Sequence, residues 1–221
     1  MGWPSLMVFV RHGQSSRNVL DEGNDSEKRK VPTHRISLTK KGEQQARITR
    51  QYLDKRFGAF DAYLSSYYLR AKATLQLMYP GARLYETAML AEVQTGIWDT
   101  MSVEEVQAAY PREIARKELE GWYHYRPIGG ESFLDVESRV INFLVILQTY
   151  FARKRVLVIT HGNWFGMFKK FMHLLSVEGS FEILRKGFEN CSVTSYEPEV
   201  SGSAVRIKLV DDCVVPWEGK L

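Results

Sequence analysis

The sequence predicts an α/β fold: three layers, α/β/α, around a mostly parallel central sheet. Three observations carry that reading. Short runs rich in β-branched and aromatic residues, at 6–10, 60–64 and 155–160, are too short for helices and read as buried strands. Longer segments with helical periodicity alternate with them, the order expected of a layered α/β unit. And two of the runs stop at the same pair of residues. Val8-Phe9-Val10 leads into Arg11-His12-Gly13, and Val156-Leu157-Val158-Ile159-Thr160 leads into His161-Gly162. If those two strands lie side by side and parallel, both imidazoles meet at the carboxyl edge of the sheet, where open α/β sheets bind ligands. Gly13 lets the chain turn sharply and approach a ligand closely.

Taken in order, the first strand is followed by a polar segment, 20–37, without periodicity. It reads as an irregular excursion over the site mouth. His34 and Arg35 near its end are within reach of a bound anion, and a solvated loop is the competing reading. The basic triplet Lys28-Arg29-Lys30 reads as part of that solvated loop. Thr39 caps a helix to about Phe57, with Ala46, Tyr52, Leu53 and Phe57 on its buried side. A strand at 60–64 and a helix at 68–78, ended by Pro80-Gly81, follow. Arg70 lies in the first turn of that helix, where a cation opposes the helix dipole unless an anion shares the space. A short strand is expected at 83–85, and 90–99 has no strong period.

Ser102-Val103-Glu104-Glu105 is a capping box and Pro111 starts a second helix, so 95–130 reads as an inserted, mostly helical cap. A long amphipathic helix at 132–151, with Ser132 as its N-cap, precedes the strand ending at His161. A helix at 163–175 packs through Trp164, Phe165, Phe168 and Met172. Two final strands, near 192–196 and 205–210 with Gly202 in the turn between, complete the sheet and add an antiparallel edge. Nothing splits the chain, so 1–221 is expected to be a single domain.

Composition narrows the function. The chain has 221 residues, 44% hydrophobic and 12% aromatic, which argues against disorder. Thirty Lys and Arg against 26 Asp and Glu give +4 and a pI near 9.0, a bias that suits a small anion and lacks the dense basic tracts of a nucleic-acid binder. Two cysteines without a CxxC or Cys/His cluster suggest neither a disulfide framework nor a structural zinc site. The apolar run after Ser5 is too short for a signal peptide, position six does not fit myristoylation, and 140–151 is too short and interrupted to span a bilayer. A cytoplasmic protein without a membrane partner is expected.

The motifs in chain order resemble the histidine phosphatase superfamily, in its phosphoglycerate-mutase-like branch. They are Arg11-His12-Gly13 with Asn18, Leu38-Thr39-x-x-Gly42-x-x-Gln45-Ala46, Ser66 with Arg70-Ala71 and Thr74, Glu92-x-x-x-Gly96-x-Trp98, Gly130-Glu131-Ser132, and His161-Gly162. The resemblance covers nearly the whole chain. It implies that His12 attacks the phosphoryl group and becomes phosphohistidine. Arg11, Arg70 and His161, with Gly162 beside it, would surround the phosphoryl oxygens. Asn18 would add a neutral donor, and Glu92 would protonate the leaving oxygen and then help activate water. The chemistry agrees, since phosphoryl transfer depends on positioning and on neutralising spread charge, and two guanidiniums do this without a metal. Without the family, Arg70 also reads as a surface helix residue, Glu92 as a solvated loop carboxylate and Asn18 as a cap or turn residue. Glu131, Ser132, Trp98, Trp122 and Tyr123 read as structural. Gln14 stands where many members carry Glu, Asp99-Thr100 replaces a common Glu-Gly, and Leu75 replaces a small residue.

The function expected is a metal-independent phosphomonoester hydrolase acting on small phosphorylated metabolites, with no cofactor. A phosphoglycerate mutase is the alternative, but such members carry Arg-His-Tyr-Gly after the acid, and here Glu92 is followed by Val93-Gln94-Thr95-Gly96. A non-catalytic phospho-ligand scaffold should have lost a pocket residue, and Arg11, His12, Arg70, Glu92 and His161 are all present. A metal-dependent hydrolase lacks its His-x-Asp pair. The resemblance allows a homodimer.

Overall fold

A computed structural model describes residues 2–23, 31–201 and 204–221. Six strands form one sheet: β1 (Leu6–Arg11), β2 (Ala62–Ser66), β3 (Leu84–Thr87), β4 (Arg155–Thr160), β5 (Val193–Ser201) and β6 (Ala204–Val214), in the order β3-β2-β4-β1-β5-β6. The first four in that order are parallel, while β5 runs antiparallel to β1 and β6 antiparallel to β5. The α/β architecture read from the sequence is therefore present, with its antiparallel edge.

Alternation along β1 explains the layers. Met7 and Phe9 face one side, and Leu6, Val8 and Val10 face the other; all five are buried. On the second side lie α2 (Lys40–Arg56), through Ala46 and Leu53, and α3 (Leu69–Met78), through Ala71, Leu75 and Met78. On the first lie α6 (Phe133–Tyr150) and α7 (Gly162–Met172), where Phe9 packs with Trp164, Phe165 and Phe168. A strand buried on both faces needs no polar alternation, which is why these runs read as continuous apolar stretches.

The helix starts follow local chemistry. The Thr39 hydroxyl accepts from the Gly42 N–H at 3.1 Å. Ser102 with Glu105 caps α4 (Val103–Ala109), and Ser132 with Asp135 caps α6, both as reciprocal capping boxes. Pro111 opens α5 (Pro111–His124), whose last turn kinks at Gly121, φ 72°.

Four expectations are corrected. The segment from 20 is not irregular throughout, because α1 (Ser16–Gly23) occupies its start and a single 3-10 turn, Thr33–Arg35, lies near its end. Lys28-Arg29-Lys30 and Gly202 lie outside the described residues. An additional helix, α8 (Val177–Lys186), packs on α7, where Leu184 fills the space beside Gly166. The final strands are longer than expected and form an extended hairpin.

The fourth correction concerns Gly13. Its φ is not positive; it is small because the backbone of Gly42 lies against it, and a Cβ there would sit 2.5 Å from the Gly42 carbonyl oxygen. The contact is reciprocal: a Cβ on Gly42 would sit 2.0 Å from the Gln14 oxygen. Gly42→Ala is thus expected to destabilise the fold by roughly 1–3 kcal/mol or more through overpacking. Helix propensity alone would instead stabilise by about 1 kcal/mol, so the sign of the change in a urea titration decides.

Candidate active site

The register of β1 on β4 sets the site. Arg11 is level with Thr160, and the His12 N–H continues the ladder to the Thr160 carbonyl at 3.0 Å. The residues that follow, His12 and His161, therefore leave the sheet edge together, with ring centroids 5.0 Å apart and both rings buried.

His12 is held in one tautomer. Its Nδ1 faces the Gly13 carbonyl at 2.8 Å and so carries the proton, which leaves Nε2 as the lone-pair nitrogen, and that nitrogen accepts from Arg70 Nε at 3.0 Å. Burial, then the charges of Arg70 and Arg11, push the His12 pKa well below the usual histidine value of 6.5. Burial does the same to His161, followed by Arg70, His12 and Arg11. Both imidazoles are neutral at pH 7.

Arg70, 4% exposed, is buried despite its place in the first turn of α3. Its Nη1 donates to the Thr33 carbonyl at 2.6 Å, and its guanidinium lies over the Tyr68 ring, which also meets His161 edge-on. Burial lowers its pKa to about 10, an effect opposed by the Glu92 carboxylate, so it remains a cation. Arg11 Nη1 donates to the Phe188 carbonyl, and its guanidinium abuts Gly162.

Asn18 uses its Oδ1 to accept from the Ser15 N–H at 3.0 Å and the Ser15 hydroxyl at 2.9 Å, leaving the amide nitrogen as its donor. It therefore combines the turn role with a place in the pocket wall. Glu92 is bound at the N-terminus of α7: Oε1 accepts from Val93 and Trp164, at 2.9 and 3.2 Å, and Oε2 from Asn163 at 3.3 Å. Arg11, His12, Asn18, Arg70 and Glu92 line one cavity of about 210 Å³. His161 and Gly162 are not among its walls, although the His161 ring lies beside that of His12, and among the described residues neither ring nitrogen of His161 has a hydrogen-bond partner. A larger cavity of about 780 Å³ lies between the end of α7 and β6, walled by Trp3, Phe171, Met172 and Leu209. It holds none of the residues gathered at the sheet edge, so its size gives it no claim to the chemistry.

Two guanidiniums converging with neutral imidazoles suit a tetrahedral oxyanion and repel a metal cation. Among the described residues, no three His, Cys, Asp or Glu side chains cluster as metal ligands.

Several supporting contacts were not readable from the sequence. Thr74, on α3, accepts from the Gly13 N–H at 3.0 Å while donating to the Arg70 carbonyl at 2.7 Å. Asn190 donates to the His12 carbonyl at 2.9 Å. Arg139 pairs with Glu131 and donates to the carbonyls of Met89 and Ala91, at 3.1 and 3.0 Å, fixing the strand of chain that bears Glu92. His34 lines a neighbouring cavity instead of the central one.

The chain belongs to the histidine phosphatase superfamily (branch 1), which it matches over residues 7–210. It is thus one of the histidine phosphatase and phosphoglycerate-mutase-like enzymes. Among curated relatives it is 31% identical, over 171 residues, to a 2,3-bisphosphoglycerate-dependent phosphoglycerate mutase of Methylobacterium radiotolerans, covering 72% of this chain and 74% of that protein. It is 29% identical to the fructose-2,6-bisphosphatase of Saccharomyces cerevisiae over 72% of this chain, and spans 32% of that longer protein. In structure it resembles the alpha-ribazole phosphatase of Shigella flexneri, with a TM-score of 0.74 at 18% identity, covering 95% of this chain and 98% of that one. No helix among the described residues is long and apolar enough to cross a membrane.

The lowered histidine pKa values fix the sign of a pH effect. The unfolded chain takes up a proton on each imidazole as pH falls through 6.5, while the native site resists, so stability is full above that value and is lost below it. Two such groups contribute a slope of up to about 2.7 kcal/mol per pH unit. Urea titrations at stepped pH should show a shallower slope in His161→Asn, by about one proton. Identical slopes in the two proteins would mean that His161 ionises as freely in the native state as in the unfolded chain.

Proposed function

We propose that the protein is a metal-independent phosphomonoester hydrolase that works through phosphohistidine on small phosphorylated molecules. The single observation that carries the reading is the His12 ring, neutral, fixed by Gly13 with Nε2 meeting Arg70 Nε in a cavity that Arg11 also lines. Residues 1–221 act as one unit, with 95–130 serving as a cap over the site.

The steps follow from the geometry. A phosphoryl dianion enters the cavity and takes over the Arg70 Nε–H, which frees the Nε2 lone pair of His12. Arg11, Arg70, His161 and the Gly162 N–H at the start of α7 receive the non-bridging oxygens, and the Asn18 amide donates to one of them. Nε2 then forms a bond to phosphorus as the ester P–O bond breaks. Glu92 gives its proton to the departing oxygen. In the second half, Glu92 takes a proton from water, the water oxygen attacks phosphorus, and the N–P bond breaks, restoring neutral His12 and releasing phosphate. The gain lies in fixed charges already aimed at the transferring group.

The second reading, phosphoglycerate mutase, is favoured by the name of the bacterial relative. Against it, the chain has Val93-Gln94-Thr95-Gly96 after Glu92, without a cation there to hold a second anionic group.

During turnover, His12 should carry an acid-labile, alkali-stable phosphoryl group, and His12→Ala should lose both the label and nearly all activity. EDTA should leave the rate unchanged. A fully active His12→Ala protein would rule out the mechanism.

The choice between hydrolase and mutase needs one further assay. With 3-phosphoglycerate and a trace of the 2,3-bisphosphate, phosphate release should exceed interconversion by at least about tenfold, or roughly 1.4 kcal/mol between the barriers. Rapid isomerisation with negligible phosphate would establish the mutase instead.

A further inference from the structure

The phosphate cavity is not closed at its outer end. A second cavity of about 170 Å³ adjoins it and shares Thr33, Thr95 and Asp99 as walls. Its remaining walls include the Tyr67 and Tyr68 rings, the Gln94 side chain and the His34 ring. Asp99 marks the border. Its Oδ2 accepts from the Thr33 N–H at 3.0 Å, its Oδ1 lies 3.8 Å from Arg17 Nη1, and that same nitrogen donates to the Asp99 carbonyl at 3.1 Å.

The two charges are not equivalent. Arg17 lines the inner cavity and not the outer one, whereas Asp99 lines both. A group in the outer cavity therefore meets a carboxylate first, and among the described residues that cavity has no Arg or Lys in its walls. The carboxylate is also rigidly placed. It ends the 3-10 turn Gly96–Asp99, in which Ile97 donates to the Ile128 carbonyl at 3.1 Å and the Trp98 indole donates to the Tyr125 hydroxyl at 2.9 Å. Gly96, at φ 55°, lies so close to the Ile128 carbonyl that a Cβ would clash with it.

Resting on the hydrolase reading above, we infer that the outer cavity receives the leaving group, and that Asp99 makes it select a neutral, hydroxyl-rich group, a polyol or sugar, against one carrying a second anion. The walls fit such a group: aromatic faces for its C–H surface, with the Gln94 amide and Thr95 hydroxyl for its hydroxyls. Asp99 does this by repelling an anion directly at the border of the two cavities.

Glycerol 3-phosphate and 3-phosphoglycerate make a matched pair, since one has a hydroxymethyl group where the other has a carboxylate. Their dissociation constants should be measured by calorimetry on His12→Ala, which cannot form phosphohistidine, so that the ratio is read apart from catalysis. Glycerol 3-phosphate should bind at least about tenfold tighter. Adding Asp99→Asn, which keeps an acceptor for Thr33, should shrink that preference about tenfold, equivalent to about 1.4 kcal/mol. An unchanged ratio in Asp99→Asn, or tighter binding of 3-phosphoglycerate before any change, would overturn the inference. Failure to hydrolyse any phosphomonoester would instead sink the hydrolase reading while leaving these ratios interpretable.

Discussion

The hydrogen bond from Arg70 Nε to His12 Nε2 is the contact on which the site depends. It can form only if the imidazole is neutral, and burial beside two guanidiniums keeps it so. It also occupies the lone pair that attacks phosphorus in the proposed mechanism, so in the resting site that lone pair is capped by the Arg70 guanidinium. The other anchor of Arg70 is a carbonyl, that of Thr33, and not a carboxylate. A carbonyl satisfies a donor without cancelling its charge. In the reaction proposed above, the incoming phosphate meets a cation still strong enough to be drawn toward it, and its arrival would uncap the nucleophile in the same movement. Arg17 is arranged differently, with Asp99 beside it. It donates a hydrogen bond to the Asp99 carbonyl, at 3.1 Å, and the Asp99 carboxylate lies farther off, at 3.8 Å.

How much of this was legible in the sequence depends on the distance over which each feature acts. The two strand–His–Gly turns were readable because a strand's end and the residue after it are adjacent in the chain. Parallel pairing then does the rest, at the register Arg11 to Thr160. The caps at Thr39, Ser102 and Ser132 were readable for the same reason, each being a contact of three residues' reach. Gly13 carries a constraint beyond the turn that its place in the sequence suggests. Its small size answers to Gly42, and nothing near Gly13 announces which distant backbone will lie against it. The tethers of Arg11 and Arg70 were invisible, since Phe188 and Thr33 contribute carbonyls that every residue possesses. The helix α8 went unread because its packing partner, the bare surface at Gly166, belongs to another helix.

Glu92 shows how the fold resolves a competition. The N-terminus of α7 is a natural anion site, with N–H groups and a favourable dipole end. Two of those N–H groups, on Asn163 and Trp164, are given to Glu92, which leaves Gly162 as the one beside Arg11. The carboxylate is thereby fixed twice, from one side by the helix and from the other by Arg139, which grips the carbonyls of Met89 and Ala91. Glu131 completes the clamp, pairing with Arg139 while accepting from the Gln94 N–H at 3.1 Å.

That fixation also distinguishes the two oxygens of Glu92. Oε1 accepts from two backbone donors, at 2.9 and 3.2 Å, and both of its in-plane lone-pair directions are committed. Oε2 accepts a single longer bond, 3.3 Å from Asn163. If Glu92 acts as the proposed general acid, its proton must sit where a lone pair is available, and that is Oε2. In the proposed mechanism the backbone bonds to Oε1 would act as a hinge pin, holding the carboxyl plane while the other oxygen exchanges its proton with substrate and afterwards with water. A glutamine in this position would keep a carbonyl oxygen for the backbone donors and present an amide that has no proton to give, which separates the positioning of residue 92 from its chemistry.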